Sequence, residues 1–89
     1  MPKRAIDLKL PITTTQREVL PENPGRIYSL LVNDGAADLY LGMGTPAVQN
    51  RGIRVNNGGG SYEINLMNPW HGSISAVSSG TPDLLIVGW

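Results

Sequence analysis

Chain breakers come so often in this sequence that no average helix fits between them. Eleven Gly and seven Pro are spread over 89 residues, and the longest stretches free of both, Ile12 to Leu20 and Arg26 to Asp34, have nine residues. A mean α-helix runs ~11 to 12 residues, and Pro inside one removes a hydrogen bond and clashes with the preceding turn. Between the breaks, apolar residues recur with a period of two, as a strand with one buried face requires. Ile6, Leu8 and Leu10 alternate with Asp7 and Lys9, and Leu39, Leu41 and Met43 repeat the spacing. Ile53 and Val55 flank Arg54, Tyr62, Ile64 and Leu66 enclose Glu63 and Asn65, and Ile74 and Ala76 enclose Ser75. Tyr28 to Val32 and Leu84 to Val87 are apolar on both faces, so the first of them is expected in the middle of a sheet, covered on both sides.

Turn residues set the expected connections. Asn33-Asp34-Gly35 and Asn56-Asn57-Gly58 tolerate positive φ and read as β-hairpins. Pro21 to Gly25, Gly44-Thr45-Pro46, Asn68-Pro69 and Ser79 to Pro82 cannot continue a central ladder and read as longer crossings. The expected fold is all-β: a single small antiparallel β-sandwich or barrel, jelly-roll-like, of about seven to eight short strands with an extended N-terminal arm. Residues 1–15 are the arm or an edge strand, and residues 16–89 the compact β domain.

Composition narrows the function classes. Seven Lys or Arg balance seven Asp or Glu, so no electrostatic footprint for nucleic acid is present, and none is expected as a partner. Without Cys and with a single His, neither a zinc site nor a disulfide framework can be built, and no cofactor or metal is expected. Asp7 and Lys9 interrupt the first apolar run, so no signal-peptide core follows, and the longest purely apolar run, Leu84 to Val87, is far short of the ~20 residues that cross a bilayer. A soluble protein made in a cytoplasm, with no membrane partner, is the expectation. A chain this short buries only roughly 60 to 65% of its unfolded surface, which favours oligomerisation or docking on a larger assembly.

Catalytic chemistry finds little foothold. His71 is the only plausible general base, yet it sits between Trp70 and Gly72 in a Pro-containing turn, and no spacing selects a nucleophile or an orienting acid for it. The acids are dispersed singly, and Gly58-Gly59-Gly60 precedes no helix that could hold an anion. The chain is therefore read as non-enzymatic. Arg26, Arg51 and Arg54, with Lys3, Arg4 and Lys9, and the rings of Tyr28, Tyr40, Tyr62 and Trp70 compose the third reading, a small barrel for single-stranded nucleic acid. Two Trp in a domain without Phe are more informative. Trp70 lies in a loop and Trp89 follows the last apolar run, so both are candidate interface anchors, together with Ile6, Leu8 and Leu10. Exposed aromatics also suit a sugar platform, which makes a carbohydrate- or receptor-binding β module of a phage tail or fibre the alternative and a glycan its partner.

The run Asn23-Pro24-Gly25-Arg26-Ile27-Tyr28-Ser29-Leu30-Leu31-Val32-Asn33 resembles a segment of small β-rich virion proteins of tailed bacteriophages. The likeness continues through Asp38-Leu39-Tyr40-Leu41-Gly42, Gly52-Ile53-Arg54-Val55, Gly58 to Ile64, Gly72 to Val77 and the closing apolar strand. It implies a capsid decoration (cement) protein, or a head-fibre or tail-associated domain, assembled as a homo-oligomer on the virion against the major capsid protein or other virion subunits. No catalytic motif comes with it. Proteins of this look that bind receptors usually carry a long stalk as well, so the short chain favours a free-standing decoration subunit, made in the host cytoplasm and housed in the virion.

Overall fold

Alternating short strands and tight connections leave the backbone one way to satisfy its polar groups, by pairing strands into sheets. The computed structural model describes residues 6–89 and contains eight strands. They are β1 (Ile6–Pro11), β2 (Arg17–Leu20), β3 (Ser29–Asn33), β4 (Leu39–Met43), β5 (Ile53–Val55), β6 (Ser61–Ile64), β7 (Ile74–Ser78) and β8 (Asp83–Gly88). Two four-stranded sheets form, one in the order β1-β8-β3-β6 and the other in the order β2-β7-β4-β5, and every pairing is antiparallel. There is no helix among the described residues, in keeping with the breaker spacing.

One core joins the sheets. Leu31, Ile64, Leu84 and Ile86 from the first meet Leu20, Leu39, Leu41, Val55, Ile74 and Ala76 from the second, with Ile12 wholly buried between strands β1 and β2. Burial follows the two-residue period: along β8, Leu84 and Ile86 are buried while Leu85 is half-buried and Val87 exposed. At roughly 1.5–3 kcal/mol for each fully buried aliphatic side chain, this shared layer is the main favourable term.

The expected hairpins are overturned. Strands β3 and β4, on either side of Asn33-Asp34-Gly35, lie in different sheets, as do β5 and β6 around Asn56-Asn57-Gly58. Neither Asn33, Asp34 nor Gly35 takes positive φ, which the tightest hairpin turns need. The Asn33 side chain instead turns into the interior and donates from Nδ2 to the carbonyls of Ala37 (2.8 Å) and Val55 (3.0 Å), so it ties the crossing segment to the opposite sheet. Its Oδ1 is buried without a hydrogen-bond partner.

The one connection that does join chain neighbours in a sheet is β4 to β5, around the Gly44-Thr45-Pro46 stretch expected to be a crossing. Positive φ at Gly44 (78°), Asn50 (62°) and Gly52 (74°) bends it back over the second sheet. There Ser75 Oγ donates to the Thr45 carbonyl (2.7 Å) and Tyr40 Oη to Asn50 Oδ1 (2.9 Å). Strand β7 is consequently buried at all five positions.

Three further differences are local. Strand β2 is invisible to an alternation rule because a register shift between Glu18 and Leu20 turns both Val19 and Leu20 inward. Strand β3 is central, but Leu30 and Val32 on its outer side are half-buried rather than covered. Strand β6 ends at Ile64, and Leu66 lies in a turn with 81% of its surface exposed. The segment expected as arm or edge strand is, over Ile6–Pro11, the edge strand of the first sheet, paired along its length with β8 of the same chain. Residues 1–5 lie outside the described residues.

Candidate interaction surface

Among the described residues no group of three His, Cys, Asp or Glu is placed to hold a metal ion, and His71 is exposed. The arginines and tyrosines that suggested a nucleic-acid groove are dispersed. Arg26 is buried, with its guanidinium donating from Nη1 to the carbonyls of Trp70 (3.1 Å) and Gly72 (3.0 Å) and from Nη2 to that of Pro21 (2.7 Å). Burial lowers its pKa, yet an arginine stays charged, so the three carbonyls serve as its counter-dipoles. Arg54 lies on β5 in the second sheet, Lys9 on β1 in the first, and Tyr62 packs against the core. Lys3 and Arg4 lie outside the described residues.

The anchor residues separate into three settings. Ile6, Leu8 and Leu10 share the inner side of β1, in register with Gly88, Ile86 and Leu84. Leu10 packs against the core, while Leu8, at the open side of the molecule, keeps 37% exposure. Trp70 is half-buried against the core, with Nε1 donating to the Ser73 carbonyl (3.1 Å) and its ring against Gly44 and Gly72. Trp89 alone of the two stands out into solvent, 44% exposed, its ring stacked on Tyr28 with centroids 4.7 Å apart.

Trp89 marks the end of an apolar surface that strand periodicity alone does not single out. Cross-strand pairs Leu30↔Val87 and Val32↔Leu85 place four aliphatic side chains as a block on the outer side of the two central strands of the first sheet. The Tyr28–Trp89 stack continues it, fixed by main-chain bonds from Tyr28 N to Trp89 O (3.1 Å) and from Trp89 N to Tyr28 O (3.0 Å). Beyond that end lies the turn Asn65–Asn68, where Asn65 Oδ1 accepts from the amides of Met67 (2.8 Å) and Asn68 (2.9 Å). The turn holds Leu66 and Met67 outward, 81% and 93% exposed. The signal available in the sequence was the two-sided apolar pattern of β3 and β8, read for β3 as coverage on both faces.

Tyr28 is tuned by its neighbour on β6. Its hydroxyl donates to Glu63 Oε2 (2.6 Å), and this bond, with partial desolvation and the carboxylate charge, raises its pKa above the ordinary 10.0. The folded state holds the proton more tightly, so the stabilisation is fully present below the pKa of the unfolded tyrosine and is lost as pH rises through the raised folded value. Glu63→Gln is expected to return the Tyr28 step towards 10.0 in a phenolate absorbance titration; an unchanged profile would show that the bond does not control it.

No protein-family model, curated protein or solved structure matches this chain. No helix is long and apolar enough to cross a membrane among the described residues.

Proposed function

We propose that the chain is a non-enzymatic structural protein of a tailed-phage particle, a capsid decoration or cement subunit with a jelly-roll fold that docks on the particle as an oligomer. Strand order is the observation that carries this reading. Sheets ordered β1-β8-β3-β6 and β2-β7-β4-β5, with the chain changing sheet at every connection but β4 to β5, follow the pattern of two rolled Greek keys. Eight-stranded jelly rolls of that kind recur in viral capsid domains. An unpartnered apolar face and the lack of a convergent titratable cluster among the described residues fit a subunit that works by burying surface.

The N-terminal arm enters this reading through β1. As an edge strand, β1 leaves a row of main-chain groups unpaired, to which a neighbouring virion subunit can add a strand, and the incompletely covered Ile6 and Leu8 supply the adjoining apolar contacts.

Quantitative mass spectrometry of purified particles tests the reading. Copies of this chain comparable to the major capsid protein are the expected result; a handful per particle moves it to a portal, tail or fibre position. Complete absence overturns the virion reading. Because lectin domains share the jelly-roll architecture, absence directs attention to glycan recognition at the exposed aromatic stack, read by tryptophan fluorescence across a glycan panel.

A further inference from the structure

Asn57 is the only asparagine in the chain that precedes a glycine. Asparagine is among the chemically labile residues, and a following glycine, having no Cβ, lets the next main-chain nitrogen approach the asparagine side chain closely. Asn57 and Gly58 are both exposed, so water reaches the pair. The fold nevertheless occupies each group that a ring closure between them needs. Gly58 N donates to the Gly35 carbonyl (2.9 Å), and Asn57 donates to Asp38 Oδ1 both from its main-chain N (2.8 Å) and from Nδ2 (3.1 Å). Asp38 is itself fixed, because its carbonyl accepts from Oγ of Ser78, a wholly buried residue of β7 (2.6 Å). A carboxylate pinned to the second sheet thus holds an exposed turn in place, and Gly58 and Gly59 give that turn its shape with φ of 71° and 106°.

We infer that Asn57 is a latent deamidation site and that the Asp38 carboxylate is the catch that keeps it closed. In the reaction the Gly58 nitrogen gives up its proton and bonds to Asn57 Cγ, the Cγ–Nδ2 bond breaks, and Nδ2 leaves as ammonia with that proton. Water then opens the cyclic imide at one of its two carbonyls, which leaves aspartate or its isomer linked through the side chain. Nothing is oxidised or reduced. Closure requires the Gly58 N–H to turn away from Gly35 and the Asn57 side chain to turn away from Asp38, so it proceeds from the locally opened turn and not from the closed one.

The conversion cannot be undone by reclosing the turn. The new carboxylate has no N–H to offer Asp38 and sets a like charge at hydrogen-bond distance from it, which disfavours the closed arrangement. The isomer also adds a main-chain carbon, which carries residue 58 out of line with the Gly35 carbonyl. Gly58 N to Gly35 O and Gly59 N to Asn33 O (2.9 Å) are bonds that tie the β5–β6 connection to the β3–β4 side of the fold, so deamidation loosens that tie. This chemistry goes beyond the structural reading above and holds whether or not the chain belongs to a particle.

Incubating the purified full chain in mildly alkaline buffer and following Asn57 by peptide mapping with mass spectrometry is the test. Unfolded in guanidinium chloride, the chain is expected to convert at least about tenfold faster than when folded. Asp38→Ala is expected to raise the folded rate about tenfold, the factor by which losing a hydrogen bond to a charged acceptor raises the population of the open turn. Asp38→Asn, of the same shape, keeps an oxygen acceptor without the charge and is expected to fall between the parent and Asp38→Ala. Trp89→Ala removes the stack on Tyr28 at the opposite end of β3 from Asn33, and so controls for a general loss of stability; it is expected to leave the rate unchanged. Circular dichroism should be the same in the parent and all three variants. A folded rate equal to the unfolded one, no acceleration in either Asp38 variant, or an equal acceleration by Trp89→Ala overturns the inference.

Discussion

Replacing Arg26 by Ala is expected to destabilise the fold by about 3–5 kcal/mol, because one side chain holds three acceptors that no other donor among the described residues bonds. The guanidinium spans the carbonyls of Pro21, Trp70 and Gly72, and so ties the β2–β3 connection to the β6–β7 connection. A second link between the two, Asn23 N to His71 O at 2.8 Å, depends on the same loop geometry. Hydrogen bonds from a charged donor contribute about 1.5–3 kcal/mol each, and part of that loss is offset where water reaches the freed carbonyls. Arg26→Lys is expected to recover only part of the stability, since an ammonium is a point charge and cannot bridge acceptors that a planar fork reaches from two nitrogens. Urea unfolding of the two variants against the parent chain checks this. A loss below about 1 kcal/mol for the Ala variant would mean that the clamp is dispensable.

Gly52→Ala is expected to be similarly damaging for a different reason, and the chain contains its own control. Gly52 and Gly58 have nearly the same backbone conformation, with φ of 74° and 71°. A Cβ at Gly52 would collide with the main-chain carbonyl of Leu41, whereas one at Gly58 would meet nothing within 4 Å. Left-handed backbone alone costs a non-glycine residue about 1–2 kcal/mol, so Gly58→Ala should stay near that figure. At Gly52 the collision is with the backbone of β4, which can retreat only by breaking its pairing with β5, and the expected loss is about 3 kcal/mol or more. Against a total of roughly 5–15 kcal/mol, either large loss removes about a fifth or more of the stability. Equal melting temperatures for the two glycine variants would show that the β4–β5 connection yields without cost.

Much of the fold is legible because strand formation is decided locally. Leu39 to Met43 and Ile53 to Val55 alternate without interruption and form β4 and β5 over those same residues. The breakers leave no stretch long enough for an average helix. Where the local rule breaks, the sequence goes silent: the register shift in β2 buries Val19 and Leu20 together and erases the two-residue period. Tight-turn residues mislead at Asn33-Asp34-Gly35, because the same short polar run serves a hairpin or a step between sheets. Here Asn33 bonds Ala37 within the connection and Val55 in the opposite sheet, contacts that no local rule reads.

The candidate surface divides along the same line. Aromatic and aliphatic content marked Trp89 and the strands β3 and β8 as unusual, but Trp70 looks equivalent to Trp89 until packing brings Gly44 and Gly72 against its ring. By itself, the sequence determined an all-β chain of short strands, since that property follows from periodicity, breakers and residue type. Only the tertiary structure decided which strands share a sheet and which apolar face is left bare. Both are set by long-range pairing and by where the β4–β5 connection folds back, and a two-residue period is the same whatever lies above the face it describes.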